Sequence, residues 1–283
     1  MGDGARQFVV EQRVEAAGEQ PDYSGREFSP EEVEAGAHRA FIGGVWDSHG
    51  RRQLDYLVGR GLQPHHRVLD IGCGPFRAGR HFVDYLEPGH YYGIDANRSL
   101  VQAGYDVELT AAQRERLPVT NLRANDRFDG DFGVLVDVAM AQSVFTHVSL
   151  NHIRLCLHRT AKVVRPGGSF YATFFERPST TPVDTVIPSK KGKPFFTEKN
   201  VFWYYRDDLA WAASFGPWEY RYIGEWGHPA HQKMAQFVRL TDAEVAERAA
   251  RARASQSPPA WRPQVQRLVR RGRRWAARHL DPG

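Results

Sequence analysis

The sequence is poor in cysteine and has no long apolar run. Its 283 residues include only two cysteines, Cys73 and Cys156, which is too few for a disulfide framework or for a zinc site built on cysteine pairs. The longest nearly apolar run, Val134 to Ala141, is interrupted by Asp137, whereas a membrane-spanning helix needs about 20 apolar residues. The first residues also lack the apolar stretch of a secretory signal. These absences predict reduced thiols and a cytoplasmic protein.

Acidic residues are scarce in one segment, residues 261–283. It holds seven arginines and one aspartate, a charge of +6, so the rest of the chain carries −1 of the total of +5. A uniformly basic surface for nucleic acid is therefore not expected. The stripe from Val265 to His279 is typical of a basic amphipathic helix, which would contact an anionic membrane peripherally. A tail that is disordered or packed on the domain is the alternative.

Short apolar segments alternate with helical patterns along the middle of the chain. Strands are predicted at residues 67–71, 91–95, 121–124, 133–141 and 169–175, and helices at 80–86, 99–105 and 151–164. This alternation indicates right-handed crossovers onto a parallel sheet, and hence an α/β doubly wound fold. A terminal strand pair is predicted at 220–225 and 234–240.

The flanking regions have a different composition from this middle part, residues 61–240. Residues 1–60 are predicted to form an arm and cap helices, one of which begins at Ser29 and continues through Ala37 to Phe41. Residues 178–200 are rich in proline and lysine and too long for an ordinary connection, so we expect a lid or substrate loop. Its lysines favour an anionic substrate, although a solvated loop is the default interpretation. Residues 241–283 are predicted to be a helical, Arg-rich tail.

A glycine loop follows the first predicted strand. Val68 to Ile71 is apolar except for Asp70 and runs directly into Gly72-Cys73-Gly74, where glycines allow a tight turn and close approach to a ligand. The next strand ends in Asp95, about 20 residues further on, where a carboxylate can accept both hydroxyls of a ribose. Loop and acid together predict a cofactor that contains a nucleoside.

The loop also indicates which kind of nucleoside cofactor to expect. Nicotinamide and flavin fingerprints need a third glycine, but Phe76 and Arg77 follow Pro75 instead. A carboxylate at Asp70 repels a diphosphate and suits a cationic amino-acid group. A dinucleotide is therefore disfavoured.

These residues resemble the class I S-adenosylmethionine-dependent methyltransferases. Leu69 to Gly74 is similar to the first motif of that family and Gly93 to Asp95 to the second. The resemblance is good over residues 65–175, where Val164 to Gly168 is like the common Pro-Gly-Gly turn, and extends to about 240. It implies a Rossmann-like sheet of seven strands, one antiparallel, with S-adenosylmethionine bound at the carboxyl ends of the first and fourth strands.

The resemblance also implies which residues contact this cofactor. Asp95 lies at the ribose, Asn125 or Asp126 at the adenine amino group, and Gln142 and Ser143 near the methionine portion and the reacting methyl. The predicted cofactor residues are Asp70, Gly72, Cys73, Gly74, Arg77, Asp95, Ala96, Asn125, Asp126, Gln142 and Ser143. Arg77 could bind the methionine carboxylate or be a solvated arginine, and the Cys73 thiol is expected to pack in the turn rather than to react.

A general base is expected just past the fourth strand. Methyl transfer to a hydroxyl requires the acceptor to lose its proton, which a neutral imidazole can take near pH 7. His147 is the first candidate, and Glu176 and His228 are alternates. The pair His228 and His231 lacks a nearby acid or cysteine pair, so we predict no metal site.

The sequence thus predicts O-methylation of a small-molecule or glycan hydroxyl. The segment from Gly43 to Asp95 resembles bacterial enzymes that tailor metabolites and polysaccharides. Methylation of nitrogen or carbon in a metabolite is the alternative. A nucleic-acid methyltransferase is disfavoured because Ala141 to Val144 does not match the Asn/Asp-Pro-Pro-aromatic motif for base amines. A protein that binds S-adenosylmethionine without catalysis is the remaining alternative.

Overall fold

The structure is a computed structural model that describes residues 24–182 and 201–256. The strands of the described residues are β1 (Val68–Ile71), β2 (Tyr91–Asp95), β3 (Leu122–Ala124), β4 (Val136–Ala141), β5 (Val164–Glu176), β6 (Trp203–Tyr204), β7 (Trp218–Gly224) and β8 (Lys233–Arg239). The α-helices are α1 (Pro30–Glu34), α2 (Ala37–Phe41), α3 (Asp47–Gly59), α4 (Gly79–Tyr85), α5 (Arg98–Ala103), α6 (Ala111–Arg116), α7 (Leu150–Val163), α8 (Arg206–Ala213) and α9 (Asp242–Gln256).

The strands form one mostly parallel sheet in the order β3-β2-β1-β4-β5-β8-β7. Strands β1 to β5 pair in parallel, whereas β8 runs antiparallel to both β5 and β7. The predicted α/β fold with one antiparallel strand is confirmed. An eighth strand, β6, was not predicted and pairs with the carboxyl end of β5.

Helices and apolar side chains cover both faces of the sheet. One core cluster contains Phe145, Phe170 and Phe237, and the other contains Leu57, Phe82 and other buried residues of α3 and α4. Alternate residues of β1, Leu69 and Val68, belong to different clusters, as expected for a strand buried on both faces. The chain order reverses between β1 and β4, which opens a crevice at the carboxyl ends of these strands.

Some predicted elements differ from the structure. The helix predicted at 99–105 ends at Ala103, and the strand predicted at 133–141 begins at Val136. The helix expected from Ser29 to Phe41 is interrupted at Gly36, whose φ of 77° belongs to the left-handed region, so two five-residue helices, α1 and α2, form instead. The Pro-Gly-Gly turn expected before the fifth strand lies within β5, opposite a register irregularity at residues 136–138 of β4. Gly167 in this turn has a φ of 79°, a left-handed conformation that accommodates the extra residues on the β5 side of the register shift.

The chain divides into two compact units, Met1–Leu240 and Thr241–Gly283. In the second unit the structure describes α9, a helix that lies within the predicted tail. Most of the predicted lid and all of the Arg-rich segment 261–283 lie outside the described residues. None of the described helices is long and apolar enough to cross a membrane.

Candidate cofactor and acceptor site

A cavity of about 680 Å³ opens at the carboxyl ends of β1, β2 and β4. Its volume lies within the usual range of ligand sites, about 300–1,000 Å³. All eleven residues predicted to contact the cofactor line it, from Asp70 in β1 to Ser143 after β4, and His147 lines it too. The structure thus brings together residues that are more than 70 positions apart in the chain.

The glycine loop after β1 lets the backbone come close to β4. Gly72 has a φ of 76°, and a Cβ atom placed there would lie 2.5 Å from Val144 Cγ2. The Gly72 N–H donates to the carbonyl oxygen of Ile94 at 2.7 Å. Any side chain at residue 72 would be strained and would collide with the segment that follows β4.

Asp95 is held at the end of β2 by two backbone amides. Its carboxylate accepts the N–H groups of Gly74 at 2.9 Å and Asn97 at 2.7 Å. Burial raises the pKa of Asp95, and both amide hydrogen bonds oppose this rise. Each carboxylate oxygen keeps lone-pair capacity for a further donor, as the two hydroxyls of a ribose would require.

Asp70 is buried beneath the glycine loop and accepts the Tyr91 hydroxyl at 2.8 Å. Burial raises the pKa of Asp70 to about 7, although the Tyr91 hydrogen bond opposes this rise. A cation bound beside the carboxylate would favour its charged form. Asp70 therefore suits the ammonium of an amino acid.

Arg77 joins the cavity to the segment after α2. Its Nη1 donates to the carbonyl oxygen of Ile42 at 3.0 Å, while its buried Nε has no hydrogen-bond partner among the described residues. Burial lowers the pKa of Arg77 to about 10, so the guanidinium is still charged at pH 7. A carboxylate in the cavity would supply a partner for this charge.

Asn125 and Asp126 differ in what their side chains can still bind. Asn125 Oδ1 accepts the N–H groups of Arg127 at 3.2 Å and Asp129 at 2.9 Å, and Asn125 Nδ2 donates to Asp129 O at 3.0 Å. Asn125 thus holds its own loop together. The Asp126 carboxylate has no hydrogen-bond partner among the described residues, so Asp126 is the better candidate to meet an adenine amino group.

The three candidate bases lie in different surroundings. His147 lines the cavity, whereas Glu176 and His228 do not. Glu176 accepts the Tyr222 hydroxyl at 2.6 Å and pairs with the Arg206 guanidinium at 2.8 Å. Of the predicted bases, only His147 is in the cavity wall.

His228 belongs to a buried cluster that includes His49 of α3. The amide Nε2 of Gln142 lies 3.1 Å from His49 Nε2 and 3.0 Å from His228 Nε2. Burial lowers the pKa of His49 to about 3 and that of His228 to about 4, and the charge of Arg77 adds to both shifts. Both imidazoles are therefore neutral at pH 7. Among the described residues, no group of three or more His, Cys, Asp or Glu side chains could hold a metal ion.

Several residues of the cavity wall were not predicted from the sequence. They come from segments outside the family motifs and include Phe41, Ile42, Gly43, Gln53, Phe128, Phe175 and Gln232. The N-terminal ones carry no motif signal, because α2 reaches the cavity only through tertiary contacts. Phe128 lies two residues after Asp126, the predicted adenine contact, and has a φ of 58°. An aromatic residue so close to this position was the one sequence feature that could have indicated a place in the cavity wall.

A buried charge cluster holds α2 against the sheet domain. Glu108 accepts Arg39 Nε at 2.6 Å and Arg39 Nη2 at 2.7 Å, and it lies 2.5 Å from His38 Nε2. These hydrogen bonds lower the pKa of Glu108 against the effect of its burial. The cluster fixes Phe41 and Ile42, which close one side of the cavity.

The donors and acceptors in this wall fit S-adenosylmethionine. Asp95 offers acceptors for a ribose and Asp70 a carboxylate for an ammonium. Arg77 offers a cation for a carboxylate, and its Nε has no hydrogen-bond partner among the described residues. Because Gly72 has no side chain, the loop backbone packs directly against Val144 at the cavity wall, where such a ligand would bind.

Comparisons with known proteins agree with this geometry. Residues 69–170 match a family model described as "Methyltransferase domain". A sugar N-methyltransferase from Streptoalloteichus has a similar structure, with a TM-score of 0.53 and 15% identity over 83% of this chain and 100% of that chain. An amino pentose methyltransferase from Micromonospora echinaspora, solved with bound S-adenosylmethionine, gives a TM-score of 0.52 and 16% identity over 76% of this chain and 99% of that chain. Streptomyces venezuelae DesVI gives a TM-score of 0.51 and 16% identity over 75% of this chain and 99% of that chain. At these identities the structural similarity concerns the fold alone.

Proposed function

We propose that this chain, a class I S-adenosylmethionine-dependent methyltransferase by its domain match and its fold, methylates a hydroxyl of a small molecule or glycan with His147 as general base. The observation that carries the proposal is that one cavity wall contains both the predicted cofactor residues and His147. The sugar and amino pentose methyltransferases with a similar fold support an acceptor of this size.

In this proposal the cofactor half of the cavity has four polar contacts. Asp95 binds the ribose hydroxyls, Asp70 the ammonium, Arg77 the carboxylate and Asp126 the adenine amino group. When bound, S-adenosylmethionine supplies an activated methyl group on a sulfonium. The chain's own residues then have to hold the acceptor in line with that group and to remove its proton.

The acceptor half of the cavity favours a neutral acceptor group. The carboxylates in the described wall are Asp70, Asp95 and Asp126, and all three are assigned to the cofactor. Next to His147 in the chain, the described wall includes the neutral side chains of Thr146 and Val148. An amine acceptor binds as an ammonium near pH 7 and needs a carboxylate partner, so this wall supports oxygen over nitrogen.

His147 is the preferred base because the alternates are poorly suited. Glu176 is committed to an ion pair with Arg206 and a hydrogen bond from Tyr222. His228 is buried behind Gln142, and a pKa of about 4 makes it a weak proton acceptor at pH 7. Both lie outside the cavity wall.

Other parts of the proposal rest on sequence. The lysines of residues 178–200 support an anionic acceptor, and the basic segment 261–283 supports peripheral contact with an anionic membrane. Methylation of nitrogen is the second candidate, because one protein of similar fold carries the name of a sugar N-methyltransferase.

The experiment combines methyl transfer with variants of two histidines. Radiolabelled S-adenosylmethionine is incubated with sugars, phenols and amines, and label in each product is counted. His147→Ala should lower turnover about 10²–10⁴-fold, the usual contribution of a general base, and leave the affinity for S-adenosylhomocysteine unchanged. His158→Ala, at an exposed position of α7, is the matched control. Transfer only to amines, or near-normal turnover by His147→Ala, would contradict the proposal.

A further inference from the structure

A buried amide network reaches the cavity wall at the end of β4. It consists of Gln142 with His49, His228 and Ser143. The same end of the Gln142 carboxamide lies 3.0 Å from His228 Nε2 and 2.6 Å from Ser143 Oγ. Of the four residues, Gln142 and Ser143 line the cavity.

His228 has only one possible position for its proton. The N–H of Ala230 donates to His228 Nδ1 at 3.0 Å, so Nδ1 carries a lone pair. Because the pKa of His228 is lowered to about 4 by burial, the ring is neutral and has one proton. That proton must therefore be on Nε2, the atom that faces Gln142.

This proton decides the orientation of the Gln142 carboxamide, whose oxygen and nitrogen are told apart by their hydrogen bonds. Two N–H groups cannot bond to each other, so the end that faces His228 is the oxygen. The contact with Ser143 Oγ agrees, since 2.6 Å is ordinary for an O–H···O hydrogen bond and short for N–H···O. The Ser143 hydroxyl therefore donates to Gln142, and its lone pairs are left to accept.

Other contacts hold Ser143 firmly in this position. It has a φ of 58°, an unfavourable conformation for a residue with a side chain. Its N–H donates to Thr173 Oγ1 at 2.7 Å and its carbonyl oxygen accepts the Thr146 hydroxyl at 2.8 Å. Gln232 Oε1, 3.1 Å from Ser143 Oγ, already accepts the Thr173 hydroxyl at 2.6 Å. Strain fixed by several contacts is typical of functional positions.

We propose that Ser143 Oγ accepts a hydrogen bond from a second hydroxyl of the acceptor, next to the one that is methylated, and that His228 is a positioning residue that acts through Gln142. The substrate class is then a vicinal diol, as in sugars, polyols and catechols. His147 takes the proton of the reacting hydroxyl, and Ser143 orients its neighbour. This proposal moves Ser143 from the predicted cofactor contacts to the acceptor. The ammonium of the cofactor is not the donor, because Asp70 provides the carboxylate that it needs. This inference rests on the proposed function.

The first test measures the tautomer of His228. Long-range nitrogen–proton correlation NMR of the full chain with S-adenosylhomocysteine bound should show a protonated Nε2 and an unprotonated Nδ1 at pH 7. The signal is assigned by its loss in His228→Gln, and His231→Ala, at an exposed position three residues away, should leave it in place. A proton on Nδ1 would overturn the inference.

The second test measures selectivity. Catechol and methyl glucopyranoside are compared as methyl acceptors with phenol and methyl 3-deoxyglucopyranoside, which have no two hydroxyls on adjacent carbons. The wild type should prefer each diol by tenfold or more in kcat/KM, and Ser143→Ala should lose this preference while its affinity for S-adenosylhomocysteine stays within about threefold. His228→Ala should behave like Ser143→Ala, and His228→Gln, which keeps an N–H donor, should restore part of the preference.

The outcomes separate this inference from the proposed function. Methylation of diols with unchanged selectivity in Ser143→Ala would overturn the inference alone. A large loss of S-adenosylhomocysteine affinity in Ser143→Ala would move Ser143 to the cofactor and overturn it as well. Methylation of amines but of no diol would overturn both.

Discussion

At the scale of single residues, Asp95 carries the most specific expectation. Asp95→Ala should weaken S-adenosylhomocysteine binding by about 1–3 kcal/mol, because the ribose hydroxyls lose a charged acceptor. Isothermal titration calorimetry measures this, with Asp106→Ala, an exposed carboxylate of the segment after α5, as the control. An unchanged dissociation constant in a folded Asp95→Ala protein would remove Asp95 from the ribose site.

Asp70 gives an expectation about stability and pH. Its folded-state pKa of about 7 lies above the unfolded value near 4, so the folded protein holds one extra proton between these limits. The preference of the folded protein for protonated Asp70 adds to the free energy of unfolding. This added stability is fully present below about pH 4 and is lost as the pH rises through 7. Asp70→Asn should therefore stabilise the cofactor-free protein at pH 8, on the order of 2–4 kcal/mol, and have little effect at pH 4.

Urea unfolding at the two pH values measures the effect of Asp70→Asn. Asp55→Asn, an exposed carboxylate of α3, serves as the comparison. The same Asp70→Asn protein should bind S-adenosylhomocysteine more weakly, because the ammonium loses its charged partner. Equal stability of wild type and Asp70→Asn at pH 8 would mean that Asp70 does not carry a buried charge.

Asn125 shows where prediction of single residues from sequence ends. Asn125 and Asp126 both follow β3, and the resemblance does not distinguish them. The structure separates them because the Asn125 side chain makes three hydrogen bonds to its own loop. Which of two neighbouring polar side chains turns back to the backbone depends on the loop conformation, which no local sequence pattern specifies.

At the scale of elements, the contact between α2 and the sheet domain should support ligand binding. Glu108→Gln removes the charge that Arg39 and His38 share. Because the Arg39 side chain is 46% exposed, the loss of stability should be about 1–3 kcal/mol, less than for a fully buried pair. Affinity for S-adenosylhomocysteine should fall too, because the Glu108 cluster no longer holds Phe41 and Ile42 in the cavity wall.

Thermal unfolding with and without S-adenosylhomocysteine, together with calorimetry, tests this expectation. Glu115→Gln, an exposed glutamate of α6, is the matched control. Stability that falls without any change in affinity would show that α2 is not needed to complete the cavity.

Elements were predictable where local pattern and tertiary environment agree. The limits of β2 agree with the sequence pattern, because a short apolar segment that ends in an acid admits few alternatives. The interruption at Gly36 and the two-residue β6 were not predictable. Both depend on distant packing partners and have little sequence signal of their own.

At the scale of the whole molecule, the cofactor cavity should be independent of the C-terminal unit. Every residue of its described wall lies between Ser24 and Gln232, within the unit that ends at Leu240. A chain truncated after Pro259 should therefore bind S-adenosylhomocysteine with the affinity of the full chain, within about twofold. It should lose salt-sensitive co-sedimentation with anionic liposomes, because the seven arginines are removed. Equal sedimentation of both chains would remove the membrane role.

The α/β fold was predictable as a whole because alternation of strands and helices constrains topology strongly. The cavity was predictable only on the side that the motifs describe. Its other walls, from α2 to Gln232, come together through long-range contacts. For this reason the sequence identified the cofactor class better than the acceptor.

The antiparallel position of β8 has a consequence for how the chain is made on the ribosome. Among the described strands, β7 joins the sheet only through β8. Strand β8 pairs with β5, which ends more than 50 residues earlier. During synthesis the outer edge of β5 therefore stays uncovered until Arg239 has emerged. A nascent chain that stalls before this point presents a long apolar edge to its neighbours, and its time of exposure is set by the rate of translation.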